Sequence, residues 1–288
     1  MKFPNYFADA ESTFDKAKYV IFGVPYDKTS SFRLGAKEAP KEIRQSSWNF
    51  ETYNFRTGFD LKDVKFHDYG DLDVKNKTSQ EMTEAVESFV KKLLENNKFP
   101  IAIGGEHSIT PGIIRAYQKN ISVLFLDAHI DFRKKYENSS YSHACVLRRI
   151  SDYIGIDNIS VLGIRSAEKE EFLEAKKMGL FYIDSFEIKE KGINNALDKT
   201  RKYLKNKKIY LTFDIDVLDP CFAPGTSTPE PFGLTPFDIV KCIDAFSSKL
   251  VGFDVVEVCP AFDKGQTALL AAKFIRYIIE QVESGNKG

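Results

Sequence analysis

Several things are scarce in this chain. Among 288 residues there are four cysteines, Cys145, Cys221, Cys242 and Cys259, and no two form a C-x-x-C pair. Neither a disulfide framework nor a thiolate zinc site is expected, and a reducing cytoplasm fits. Net charge is missing too, because 41 Lys and Arg balance 41 Asp and Glu. That balance argues against a nucleic-acid or membrane-surface role driven by bulk charge. No apolar run approaches the roughly 18 residues needed to span a bilayer. The opening MKFPNYFADAEST lacks the apolar core of a signal peptide. There is no internal repeat, low-complexity tract or Pro/Gly-rich linker, so residues 1–288 are expected to form a single domain. Histidine is also rare, with His67, His107, His129 and His143 the complete set.

What is present is a regular alternation of short apolar runs and amphipathic stretches. Strands are expected at Lys18–Val24, Val64–Tyr69, Phe99–Ile103, Ile121–Asp127, Ile159–Ile164, Phe181–Asp184, Ile209–Asp214 and Val251–Val256. Between them the spacing predicts helices from about Pro40 to Ser47, then at Ser79–Glu95 and Thr110–Tyr117, and further on at Ala144–Tyr153, Lys169–Met178, Ile193–Leu204, Pro236–Phe246 and Gln266–Val282. About eight strands separated by helices imply an α/β fold with a mostly parallel sheet covered on both faces. Ligands in such folds bind beyond the carboxyl ends of the strands.

The polar clusters fall at those ends. Val123–Leu126 runs into Asp127-Ala128-His129-Ile130-Asp131, which places three ligand-type side chains at alternate positions. On an extended backbone, alternate residues share one side. Leu211-Thr212-Phe213 runs into Asp214-Ile215-Asp216, and Gly104-Gly105 precedes Glu106-His107-Ser108. A single D-x-D more often caps a turn, and a lone histidine is more often structural. Three of four histidines lying in such segments beside two acid pairs is a different matter. His107, Asp127, His129, Asp131, Asp214 and Asp216 offer four carboxylates and two imidazoles, whose charge balances two divalent cations. This thiolate-free set suits Mn²⁺, with Fe²⁺, Co²⁺ and Zn²⁺ as alternatives. Asp127 and Asp214 are the natural bridging groups. Paired metals would lower the pKa of a shared water and yield a hydroxide nucleophile, so metal-assisted hydrolysis is expected. Phosphoester hydrolysis is the competing chemistry, but only Arg133 stands near the ligands to hold a phosphate. Glu257, after the Val251–Val256 run, is not needed for the metals. A spare carboxylate there suits a guanidinium, against the plainer reading of a solvent-facing acid. His67 is read as structural.

GGEHS, DAHIDFR, SHA, TFDIDVLDPCFAPGTSTPEPFGL and DVVEVCPAFD, in this order, resemble the ureohydrolases, the arginases, agmatinases and relatives. GVPYDKTSSFRLGAKEAPKEIR extends the resemblance over almost the whole chain. It implies a three-layer α/β/α fold with an eight-stranded sheet, two Mn²⁺ per subunit, cytoplasmic location, and homo-oligomers, usually trimers or hexamers. By this resemblance, His107, Asp127, Asp131 and Asp214 would hold the first manganese. Asp127, His129, Asp214 and Asp216 would hold the second. His143 would shuttle protons, Asp131 could pass one to the departing amine, and Glu257 would orient the guanidinium. Glu106 and Ser142 would support this set. The Ala-Pro-Gly-Thr run and Arg133, where arginases carry an asparagine, are most similar to agmatinases. This implies cleavage of agmatine to putrescine and urea, with arginine or another guanidino acid as alternative substrates. A silent metal-binding homologue would lack one of these residues, and none is missing. Ser227, Phe232, Lys134 and Lys135 depart from the usual family pattern without touching a ligand.

Overall fold

The computed structural model describes residues 4–118, 121–205 and 208–285. Its centre is a sheet of eight strands: β1 (Tyr19–Val24), β2 (Phe66–Asp71), β3 (Phe99–Gly104), β4 (Ser122–Leu126), β5 (Ile159–Ile164), β6 (Phe181–Asp184), β7 (Ile209–Asp214) and β8 (Leu250–Val256). The spatial order is β2-β1-β3-β8-β7-β4-β5-β6, and every pairing is parallel. The apolar runs explain this placement. Strands buried on both faces need continuous hydrophobic sequence, and β1, β3, β4, β5 and β7 are buried along their whole length. The edge strands β2 (FHDYGD) and β6 (FYID) are more polar and only partly buried.

Side chains alternate across the sheet and so build two cores. Leu124, Leu126, Leu211 and Phe213 face one side. There they pack with Ile43 of α1 (Ala39–Ser47), Leu197 of α7 (Ile193–Leu204), Ile243 of α8 (Pro236–Phe246) and Ile275 of α9 (Gln266–Gly285). Val123, Phe125, Val161 and Tyr210 face the other side. Their partners are Val86 of α2 (Ser79–Glu95), Ile113 of α3 (Thr110–Ala116), Ile150 of α4 (Val146–Ile154) and Ala175 of α5 (Lys169–Lys177). Each fully buried Leu, Ile or Phe contributes roughly 1.5–3 kcal/mol. The result is the expected three-layer α/β/α architecture.

Three local differences from the sequence expectation stand out. A helix α6 (Ser185–Lys191) follows β6 directly. Asp184 caps it by accepting from the Glu187 amide, and Gly192 at φ 82° ends it. At seven residues it is too short for a helical period to register. A two-residue hairpin pairs Tyr53–Asn54 with Phe59–Asp60. Finally, β4 ends at Leu126, one residue before Asp127.

The chain order creates a switch point. From β1 it steps to β2 and then to β3 on the opposite flank, and β4, β5 and β6 lead away on the far side. β7 and β8 return to fill the gap between β4 and β3. Four adjacent central strands, β3, β8, β7 and β4, thus end side by side, where α/β folds bind ligands. Gly105, just after β3, lets its turn lie against the turn after β1, because a Cβ there would sit 1.9 Å from the Tyr26 carbonyl oxygen. Gly105→Ala is expected to cost at least about 1–3 kcal/mol of stability, read as a lower urea midpoint. An unchanged midpoint would show that the two loops can separate freely.

Candidate metal centre

The site is built from a device used twice. After β4, Asp127 Oδ1 accepts from the His129 amide at 2.7 Å. After β7, Asp214 Oδ1 accepts from the Asp216 amide at 2.9 Å. Each aspartate thus commits one oxygen to its own turn and aims Oδ2 at His107. His107 Nδ1 lies 3.2 Å from Asp127 Oδ2, 3.3 Å from Asp214 Oδ2 and 3.7 Å from Asp131 Oδ2. A second group shares Asp127. His129 Nδ1 is 2.8 Å from Asp216 Oδ2 and 3.9 Å from Asp127 Oδ1. Asp216 Oδ1 also accepts from the Ala128 amide at 3.1 Å, which ties the two turns together. His107, Asp127 and Asp214 form one cluster with metal-ligand spacing, and Asp127, His129 and Asp216 form another.

Asp127, His129 and Asp131 do not lie on an extended strand as the sequence spacing suggested. The backbone has left the strand by Asp127, and Asp131 has a left-handed φ of 47°. Turn geometry, rather than strand alternation, brings Asp131 beside His107.

The donor set fits a cation. His107 Nε2 is 2.8 Å from Thr212 Oγ1. The Thr212 hydroxyl spends its proton on Asp254 Oδ1 at 2.7 Å, so Nε2 must donate. Nδ1 then carries the lone pair, facing three carboxylates. His107 Nδ1 and Asp127 Oδ2 are buried polar atoms with no hydrogen-bond partner, a state that normally costs free energy. Burial, with mutual repulsion adding to it, raises the Asp131 and Asp214 carboxyls well above their usual range and raises Asp127 as well. Burial alone would depress His107 and His129, but the facing carboxylates outweigh it and raise both. Protons are thus drawn to where a divalent ion would fit. Four carboxylates and two imidazoles without thiolate suit Mn²⁺-like ions.

Around this cage lies a cavity of about 400 Å³. Glu257 lines it, just past β8, at a left-handed φ of 63°. One of its oxygens accepts from the His107 amide at 2.7 Å. Burial first, then Glu106, pushes its carboxyl up to about 7, against the bond from the His107 amide. His143 opens the short turn before α4 and also faces the cavity. Burial, aided by the charge of His129 and His107, pushes its imidazole down to about 4. Glu106 is fully buried and accepts from Thr29, Ser30 and Ser108. Ser142 caps the His143 turn. His67 is structural, with Nδ1 2.8 Å from the Ser12 carbonyl on an edge strand.

Other cavity residues escaped the sequence reading: Ser31, Tyr136, Thr228, Glu168 and Glu171. Arg133 lies over the Tyr136 ring, 3.6 Å from Glu168 and 3.4 Å from Glu171. It is therefore engaged by two acids and is no free phosphate anchor. Arg165, outside the lining, donates to the carbonyls of Asp216 and Glu230 at 2.6 and 2.7 Å and braces the β7 turn. Glu168 and Glu171 carried only a helix-start signal, and Arg165 only a strand-end position.

A doubly wound parallel sheet with a buried carboxylate–imidazole cage at its switch point defines a class of metal-dependent α/β proteins. Residues 17–280 match the arginase family, and the chain belongs to it. It is 37% identical to an agmatinase of Bacillus cereus over 280 residues, 95% of this chain and 94% of that one. It is 34% identical to the N(1)-aminopropylagmatine ureohydrolase of Thermococcus kodakarensis over 269 residues, 92% and 91% of the two chains. The crystal structure of agmatine ureohydrolase of Thermoplasma volcanium superimposes with a TM-score of 0.94 at 39% identity, covering 100% of this chain and 97% of that one.

Because the raised groups hold protons without a cation, Mn²⁺ binding is expected to release protons, and affinity should fall as pH falls. Calorimetry in two buffers of different ionisation enthalpy measures this. Binding heats independent of buffer would contradict the charge arrangement described.

Proposed function

We propose that the chain is a manganese-dependent agmatinase that hydrolyses agmatine to putrescine and urea. The observation that carries this reading is the buried carboxylate of Glu257, which lines the same cavity as the cage but stands outside both ligand clusters. A carboxylate in that position is complementary to a planar guanidinium. In this reading His107, Asp127, Asp131 and Asp214 hold one ion, and Asp127, His129, Asp214 and Asp216 the other. Two such ions, when bound, would supply a nucleophile at neutral pH for attack on the guanidinium carbon. The chain's own groups do the rest. Glu257, fixed by the His107 amide, orients the guanidinium plane. Cleavage of the C–N bond expels an amine that needs a proton. His143, held largely neutral beside the cavity, exchanges protons between solvent and the reacting atoms, and Asp131 offers a second route to the leaving nitrogen. Glu106 and Ser142 support this set from behind.

The rim favours agmatine over arginine. Two carboxylates, Glu168 and Glu171, stand against one guanidinium, Arg133. Glu171 is already occupied by the Phe132 amide, whereas Glu168 is exposed and loosely paired. Glu168 is therefore the group to receive the distal ammonium, and among the described residues lining the first cavity the one guanidinium, Arg133, is already engaged by acids. Arg133, Glu168 and Glu171 also border a second cavity, lined further by Glu170 and Glu174 and by Lys134, Lys135, Arg148 and Arg149. The acids of that cavity support a second reading, a longer aminopropyl-extended guanidine like the substrate in the Thermococcus kodakarensis relative's name. Cytoplasmic location and trimeric or hexameric assembly accompany the proposal.

The test is urea release from manganese-loaded protein with agmatine, N1-aminopropylagmatine and arginine at equal concentration. Agmatine is expected to lead. Preference for the aminopropyl compound would select the second reading, and preference for arginine would overturn the rim argument. Glu168→Gln should raise KM for agmatine by roughly tenfold with kcat nearly unchanged, as expected for loss of a charged contact made equally in ground and transition states. An unaltered KM would remove Glu168 from substrate recognition.

A further inference from the structure

We propose that Thr29 is a positioning residue for His143, acting through a hydroxyl that links the buried Glu106 carboxylate to the His143 backbone and ring. The inference rests on the reading of His143 as the proton carrier, and it extends that reading to a particular nitrogen.

A threonine hydroxyl has one proton to give and two lone pairs. Thr29 Oγ1 lies 2.6 Å from Glu106 Oε1. The Glu106 carboxyl is an acceptor here. Its oxygens also receive the Thr29 amide at 2.7 Å and the hydroxyls of Ser30 and Ser108. An amide can only donate, and four donors converge on one carboxylate. The Thr29 proton therefore goes to Glu106, and Oγ1 is left to accept. It accepts the His143 amide at 2.9 Å.

The same oxygen is 3.3 Å from His143 Nδ1. With the hydroxyl proton already committed, this contact is a hydrogen bond only if Nδ1 carries the hydrogen. Ser142 Oγ, also 3.3 Å from Nδ1, accepts from the Ala144 amide and keeps a second lone pair that can take the same hydrogen. Nε2 is then the basic nitrogen. Its recorded neighbour is Ser31 Oγ at 3.4 Å, on the exposed cavity rim. The Tyr136 ring stands edge-on to the imidazole at 5.7 Å. The ring is thus held by its Nδ1 side and presents Nε2 to the cavity. Thr29 touches no ligand of the cage. Its effect on turnover passes through His143, while its bonds to Glu106 tie the same loop to the turn that carries His107.

The experiment uses the manganese-loaded full chain. Thr29→Val and Thr29→Ser are made alone and in a His143→Asn background. With the guanidine that the parent protein hydrolyses, Thr29→Val is expected to lower kcat by roughly 10–100-fold while KM and manganese content stay near those of the parent. Thr29→Ser, which keeps the hydroxyl, should return kcat to within about threefold, and Thr29→Val should add nothing once His143 is Asn. Unchanged kcat in Thr29→Val would overturn the proposal. So would an equal further loss in the His143→Asn background, or a loss that tracks manganese release or a fallen Tm. A second readout is the rate at which diethyl pyrocarbonate modifies His143, followed by peptide mass. Thr29→Val should change that rate, and Thr29→Ser should leave it near the parent value. Equal rates in all three overturn the proposal. If the parent protein releases urea from no guanidine, the agmatinase reading fails on its own, and this second readout still decides the role of Thr29.

Discussion

The molecule depends on one electrostatic arrangement. Four aspartates and two histidines converge at the carboxyl ends of neighbouring strands, nearly all out of water. Two like charges about 4 Å apart repel by roughly 4 kcal/mol at an effective dielectric of 20. The fold reduces that cost by giving one oxygen of Asp127, Asp214 and Asp216 a backbone amide each. The remaining oxygens, and the lone pair of His107 Nδ1, point at one another. Protons or cations must complete the arrangement, and the rigid parallel sheet keeps the groups from moving apart.

The contrast among buried acids shows how function differs from support. Asp254 is fully buried, yet its oxygens receive Thr212, Thr110 and Tyr210. Glu106 is fully buried, and four donors surround it. These satisfied carboxylates hold other residues still. Asp254, through Thr212, sets which nitrogen of His107 faces the cage. Asp127 is buried to the same degree but leaves Oδ2 without a hydrogen-bond partner. Burial alone does not mark a candidate ligand; a buried carboxylate oxygen without a partner, facing an equally unpartnered imidazole nitrogen, does.

Much of the architecture was legible because its signals are local. Strand and helix positions followed from apolar periodicity, and β5, β6, β7, α2, α7 and α8 have the boundaries expected from the sequence. The six cage residues stood out because histidine is rare and because ligand-type residues follow apolar runs. The helix after β6 was missed because seven residues give too little period. Asp131 lies beside His107, but a left-handed turn rather than a strand carries it there.

By itself the sequence determined the layered α/β plan and the identity of the candidate ligands, because each depends on residues within a few positions of one another. Only the tertiary structure decided which oxygen meets which nitrogen, that Asp127 belongs to both clusters, and what lines the rim. Thr29 is 77 residues from Glu106 and 114 from His143. Glu257 is 150 residues from the His107 amide that holds it. Such contacts have no local periodicity to announce them. They exist because the order of strands brings distant turns to one edge of the sheet: β1 pairs with β3, which sets Thr29 beside Glu106, and the late strand β8 inserts beside β3, which sets Glu257 beside His107.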